Sequence, residues 1–121
     1  GIEDRIILHT QFVPDEEVKN FVCSADFIIQ PYRNATQSGV TPLAYHFEIP
    51  MLVTNVGALA DTVPHGKVGF VVEPSVEAIA NGITQLYDKG ALYFKPHIQA
   101  EKKKYSWEQM ADNFLILHQQ L

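Results

Sequence analysis

Residues 26–54 decide the fold, and they read DFIIQPYRNATQSGVTPLAYHFEIPMLVT. The stretch opens with a short apolar run, Asp26 to Gln30, and closes with a second one, Met51 to Thr54. The centres of these runs, IIQ and MLV, carry no charge, which is typical of strands that are buried on both faces. A helical pattern lies between them, from about Gly39 to Phe47. The stretch therefore predicts a strand, a helix and a second strand parallel to the first.

The same alternation continues on both sides of this unit. Upstream, a strand-like run covers Arg5 to His9, and Pro14 followed by three acids predicts the first turn of a helix beginning at Asp15. Downstream, we expect a short helix from about Ala58 to Val63 and a strand from Val68 to Val72. The predicted fold is α/β, Rossmann-like, with four parallel strands and helices on both faces of the sheet.

The last third of the chain changes to helical patterns alone. Three helices are expected, over Val76 to Asp88, Ala91 to Lys103 and Ser106 to Leu121. Ser106 is a suitable N-cap, and the apolar stripe that follows it predicts that the last helix packs against other structure. Neither a repeat nor a low-complexity linker divides the 121 residues, so a single domain is expected.

Composition excludes several kinds of function. A net charge of −5 argues against a nucleic-acid binder. The one basic run, Lys102 to Lys104, is best interpreted as a solvated helix face; the alternative is a weak contact with anionic lipid. The single cysteine, Cys23, excludes an internal disulfide and favours a reducing, cytoplasmic setting; its apolar neighbours predict burial. The five histidines show no metal-site spacing.

The loop from Pro31 to Pro42 is the candidate binding site, because ligands of open α/β sheets bind beyond the carboxyl ends of the strands. Pro42 is tolerated in the first turn of a helix, which places the helix start between Ser38 and Pro42. The amides of Ser38, Gly39 and Val40 are then expected to point outward, where they suit a diphosphate. Alternatively, Ser38 or Thr41 only caps the helix.

The loops after the two following strands open on the same edge of the sheet. Asn55, Val56 and Gly57 follow the third predicted strand, and Glu73 and Pro74 follow the fourth. They can contact the same ligand or serve as ordinary turns.

Several segments in a fixed order resemble the GT-B glycosyltransferases of the large retaining family 4. These are FVP at residues 12–14 before an acidic helix, SADFIIQP at 24–31, IPMLVTNVG at 49–57, GKVGFVVEP at 66–74 and YSWE at 105–108. The resemblance covers nearly the whole chain. It implies that residues 1–121 are part of a C-terminal domain that binds a nucleotide-diphosphate sugar, UDP- or GDP-linked, for retaining transfer. The acceptor is unknown, and an N-terminal GT-B domain of the same chain would hold it.

The resemblance also implies which residues hold the donor. The turn of Thr36, Gln37, Ser38, Gly39 and Val40 would bind the diphosphate and sugar, with Asn55 and Gly57 in the donor cleft. It implies neither a metal ion nor another cofactor, and a peripheral membrane contact belongs to the full-length protein.

Two positions depart from the family pattern. The family usually has two glutamates eight residues apart around this turn, and Ala35 and Leu43 stand there. Catalytic residues are therefore unknown, and a non-catalytic nucleotide-sugar-binding or scaffold module is the alternative. A sugar-nucleotide epimerase would need catalytic acids and histidines that have no place in this sequence. The 121-residue chain alone is expected to transfer no sugar.

Overall fold

The computed structural model describes residues 1–36 and 38–105. In chain order the elements are helix α1 (Asp15–Cys23), strand β1 (Ile28–Gln30), helix α2 (Val40–His46), strand β2 (Met51–Thr54), helix α3 (Leu59–Thr62), strand β3 (Gly69–Val72), helix α4 (Val76–Lys89) and helix α5 (Ala91–Lys102). Three-residue 3₁₀ turns cover Glu3–Arg5 and Lys103–Tyr105. The bounds of α2, α4 and α5 lie within one residue of those predicted, and α1 begins at the predicted residue, Asp15.

The three strands form one sheet in the order β1-β2-β3, and both pairs are parallel. Ile28 lies opposite Met51, and Met51 lies opposite Gly69. The parallel pairing confirms the α/β class, because each strand returns to the same edge only after a helical crossover.

Helices cover both faces of this sheet. Gln30 shares a face with its register partner Val53, and its side chain donates a hydrogen bond to Thr41 of α2. The next residue along β2, Leu52, points to the other face, where α4 lies so close that a Cβ on Gly82 would come within 2.4 Å of the Leu52 Cδ1. The sheet is therefore enclosed between α2 and α4, as the sequence predicts.

The core lies between the sheet and these helices. Met51, Leu52 and Val53 of β2 are completely buried, as expected for the central strand. Helix α5 contacts α2 and α4, and its Phe94 packs edge-on against Phe70 with the ring centroids 5.7 Å apart. Burial of such side chains contributes about 1.5–3 kcal/mol each and holds the two C-terminal helices of the described region on the sheet.

A polar cluster fastens the end of α5 to the end of α2. Glu48, just after α2, has a left-handed backbone with φ 58°, and its carboxylate accepts a hydrogen bond from Gln99 at 3.2 Å. Lys102 Nζ lies 3.5 Å from the same carboxylate and donates to the His46 carbonyl at 3.0 Å. The hydrogen bond from Gln99, ahead of the charge of Lys102, lowers the pKa of Glu48 below its ordinary value.

Three expectations differ from the structure or fall outside it. Arg5 to His9 was predicted as a strand, but none of the described residues pairs with it, and Ile7 is 93% exposed. A strand without a neighbour leaves its backbone groups without partners, so the apolar pattern alone was insufficient. Cys23 is exposed rather than buried, as the last residue of a helix that has no buried residue. The predicted helix from Ser106 to Leu121 lies outside the described residues.

Candidate functional site

Two loops meet at the carboxyl edge of the sheet. The first follows β1 and spans residues 31–39, and the second follows β2 and spans residues 55–58. Thr54, the last residue of β2, donates its hydroxyl to the Tyr32 carbonyl at 2.5 Å, and the Ala58 amide donates to the Thr36 carbonyl at 2.9 Å. These bonds join the loop that carries the predicted diphosphate turn to the loop that carries the predicted cleft residues.

Gly57 brings the two loops into direct backbone contact. Its φ is +53°, and a Cβ at this position would lie 1.7 Å from the Ala35 carbonyl oxygen and 3.0 Å from the Thr36 Cα. Only glycine allows both this conformation and this approach. Gly57 therefore has a packing role, because it lies against the backbone of Ala35 and Thr36 in the first loop. Its contact with a donor stays a prediction.

Gly39 lies at the start of α2 with open space around it. Its φ of −73° and ψ of −14° are ordinary helical values, and apart from its chain neighbours and the backbone of α2 no atom of the described residues lies within 4 Å of where its Cβ would be. Among residues 1–36 and 38–105, no acceptor bonds the Ser38 or Gly39 amide. The turn thus presents two amide donors and room for a ligand.

The Val40 amide, which was also expected to be open to a ligand, has a partner. It donates to the Ser38 hydroxyl oxygen at 3.1 Å, a local bond next to the N-cap residue, Gly39. The Ser38 hydroxyl in turn donates to Gln30, whose amide nitrogen donates to Thr41 Oγ1 at 3.2 Å. A ligand can reach the Val40 amide only if Ser38 releases it.

The remaining predicted positions divide between surface and core. Thr36 and Asn55 are exposed at the joined loops, and Gln37 lies outside the described residues. Ala35 is half-buried against the hydrophobic core, and Leu43 is half-buried on α2. At these two positions, where the family usually has glutamates, neither side chain offers a charged group to a ligand.

Sequence reasoning missed two residues that organise this site. Gln30 and Thr54 are buried polar residues at the ends of β1 and β2, and their side chains hold Ser38 and Tyr32. Their signal in the sequence was a polar residue closing an apolar strand, a position where a buried polar group needs a partner in the following loop.

Cations and candidate metal ligands can be located in the part of the chain that the structure describes. Arg33 is exposed and is the one cation in residues 31–39. In residues 1–36 and 38–105 no three histidine, cysteine, aspartate or glutamate side chains come together as a metal site. No helix within those ranges is long and apolar enough to cross a membrane.

The family model described as Glycosyl transferases group 1 matches residues 1–89. The chain belongs to the group 1 glycosyltransferases. No curated protein sequence matches it significantly. Among solved structures, sucrose-phosphate synthase from Thermosynechococcus elongatus has 22% identity and a TM-score of 0.76 over 97% of this chain and 30% of that one. A glycosyltransferase from Rickettsia africae ESF-5 has 22% identity and a TM-score of 0.65 over 90% of this chain and 31% of that one.

These comparisons confirm the fold class and the family. At 22% identity the structural likeness concerns the fold alone, and it is to GT-B glycosyltransferases. The group 1 chain spans about a third of the length of both structures.

Proposed function

We propose that residues 1–121 are part of the donor-binding domain of a GT-B glycosyltransferase, and that the turn from Thr36 to Val40 holds the diphosphate of a UDP- or GDP-linked sugar. One observation carries the proposal: the loops after β1 and β2 are bonded together at the carboxyl edge and leave the start of α2 open at Gly39. This edge is where open parallel sheets bind their ligands.

The chemistry of the turn suits a diphosphate. The amides of Ser38 and Gly39 are the donors, and the missing Cβ of Gly39 lets phosphate oxygens approach the backbone. The exposed side chains of Thr36 and Asn55 lie on the joined loops, where they serve the sugar or the second phosphate. In retaining transfer the diphosphate is the leaving group, and amide donors stabilise the negative charge that develops on it.

The rest of the reaction belongs to the full-length protein. Since the chain spans about a third of the related structures, we place the acceptor site on an N-terminal GT-B domain of the same protein. Closure of the two domains would exclude water from the donor. For location we propose the cytoplasm, where an exposed free thiol such as Cys23 stays reduced. A peripheral membrane contact through Lys102 and Lys104 would compete with their carboxylate partners, Glu48 and Glu101.

A non-catalytic nucleotide-sugar-binding module is the second candidate, and the surroundings of Ala35 favour it. The Ala35 side chain packs against the core, and its carbonyl is pressed against Gly57. An alanine offers a sugar no hydrogen bond, so this position adds no side-chain contact to a donor. Binding of a nucleotide sugar by the full-length protein with no turnover of any donor would favour this candidate.

Paired substitutions at Gly39 test donor binding. Gly39→Asp places a negative charge where the phosphate approaches, while Gly39→Asn has nearly the same shape without the charge. Because the backbone is helical and the space is open, both variants should fold. Charge repulsion at a partly solvated site and loss of amide contacts should together cost Gly39→Asp about 2–3 kcal/mol, or roughly a hundredfold in Kd. For Gly39→Asn we expect less than about tenfold, since only steric obstruction remains.

The measurement is calorimetric titration of UDP and GDP into the full-length protein, with circular dichroism as the check on folding. Equal affinities for wild type and Gly39→Asp would place the diphosphate elsewhere. Equal losses in the two variants would mean that obstruction rather than charge decides, and that the ligand group at Gly39 is not a phosphate.

A further inference from the structure

We infer that Gln30 is a positioning residue for the donor-binding turn: its buried carboxamide holds Ser38 and Thr41 together and thereby aims the Ser38 and Gly39 amides at the diphosphate. The inference rests on the proposed function of the turn. It assigns a role to a residue that lies behind the binding surface and does not touch the ligand.

The contacts of Gln30 are those of a bridge. The side chain is 3% exposed at the end of β1, its oxygen accepts from the Ser38 hydroxyl, and its nitrogen donates to Thr41 Oγ1 at 3.2 Å. The nitrogen also faces Met51 Sδ at 3.9 Å. The two hydroxyls stand on either side of Gly39 in the sequence, so the strand end is fastened to the turn just before and just after the exposed glycine.

This bridge also decides which groups of the turn face a ligand. Because the Ser38 hydroxyl donates its hydrogen to Gln30, that hydrogen is not available to a phosphate. The same oxygen accepts from the Val40 amide at 3.1 Å, so the third amide already has a partner. The Ser38 and Gly39 amides, for which the described residues supply no acceptor, are left as the donors for a ligand.

A carboxamide suits this bridge, because its oxygen accepts from Ser38 while its nitrogen donates to Thr41. Methionine has nearly the same volume and is apolar, so Gln30→Met keeps the packing beside Met51 and removes only the two bonds. A buried carboxamide at the end of an apolar strand is costly unless both of its ends are hydrogen-bonded, because an unbonded end loses its bonds to water and gains none in return.

The matched control is Tyr45→Phe. Tyr45 is buried on α2, the helix that also carries Thr41. Its hydroxyl donates to the Thr62 carbonyl at the end of α3. Like Gln30→Met, it removes buried hydrogen bonding beneath α2, so the two variants should lose comparable thermal stability.

The experiment measures the Kd of UDP and of UMP, or of GDP and GMP if the wild type prefers guanine, with the full-length protein. We expect Gln30→Met to raise the Kd of the diphosphate about tenfold and that of the monophosphate less than about threefold, since misaimed amides lose the second phosphate. Tyr45→Phe should change both by less than about twofold. In a Ser38→Ala background, Gln30→Met should have less than about a threefold effect, because its main partner is already absent.

The outcomes distinguish a failure of the proposed function from a failure of the inference about Gln30. If wild type binds neither UDP nor GDP, the proposed function fails and the inference fails with it. If wild type binds and Gln30→Met binds equally well, or loses both ligands in equal proportion, only the inference is overturned. An undiminished effect of Gln30→Met in the Ser38→Ala background would also overturn it.

Discussion

Replacing Gly57 by alanine should break the junction between the two loops of the candidate site. The new Cβ would lie 1.7 Å from the Ala35 oxygen and 2.7 Å from the Ala35 carbonyl carbon, well inside the 3.0 Å that real contacts keep. Both neighbours are backbone atoms, so no side-chain rotation relieves the overlap. One loop must move, and the Ala58–Thr36 hydrogen bond lies directly beside the overlap.

The expected loss of stability has three parts. Alanine at φ +53° costs about 1–2 kcal/mol because its Cβ crowds the backbone in the left-handed region. Overpacking against a fixed carbonyl costs about 1–3 kcal/mol, and loss of the loop hydrogen bond costs about 1 kcal/mol. The free energy of unfolding should therefore fall by about 3–6 kcal/mol, a large share of the roughly 5–15 kcal/mol that ordinary domains possess.

Gly66→Ala separates the steric part from the conformational part. Gly66 also has a left-handed φ, +83°, but nothing lies within 4 Å of its Cβ position. It should lose only about 1–2 kcal/mol. The assay is urea unfolding of both variants, followed by circular dichroism. Losses equal to within about 0.5 kcal/mol would show that the close approach of Gly57 to Ala35 does not exist in solution, and the joined-loop site would have to be abandoned.

Three further outcomes are expected. The pKa of Glu48 is lowered mainly by the Gln99 hydrogen bond and then by Lys102, so its contribution to stability is present above the ordinary pKa range of glutamate and is lost as the pH falls through the lowered pKa. In urea unfolding at a series of pH values, Glu48→Gln should remove about 0.5 kcal/mol of this pH dependence. An unchanged pH dependence would contradict the contacts of Glu48 with Gln99 and Lys102. Gly82→Ala should cost about 1–2 kcal/mol by thermal melt, less than Gly57→Ala because the atom it meets is the movable end of Leu52, and a gain in stability would contradict the packing of α4. The 121-residue chain should release no sugar from any nucleotide sugar in a coupled assay, and measurable turnover would refute the need for a second domain.

Much of the site could be located from the sequence because strand ends and loops are adjacent in the chain. The turn from Thr36 to Val40 follows an apolar strand directly, and its place at the carboxyl edge follows from parallel topology alone. Its internal bonding could not be predicted in the same way. A serine hydroxyl can bond to several kinds of local acceptor, and only the tertiary position of Gln30 gives the Ser38 hydroxyl the partner it has.

The sequence by itself determined the helices of the described region and the three paired strands with their parallel direction, since these depend on periodicity and on the need for a crossover between parallel strands. It could not determine the state of Arg5 to His9, because a strand exists only with a neighbour and the pattern of one segment says nothing about its partner. Tertiary structure alone decided that Gly57 presses on Ala35 and that a buried glutamine holds the turn. Contacts between loops and side chains distant in sequence depend on ångström-scale distances, and no local pattern of residue types records them.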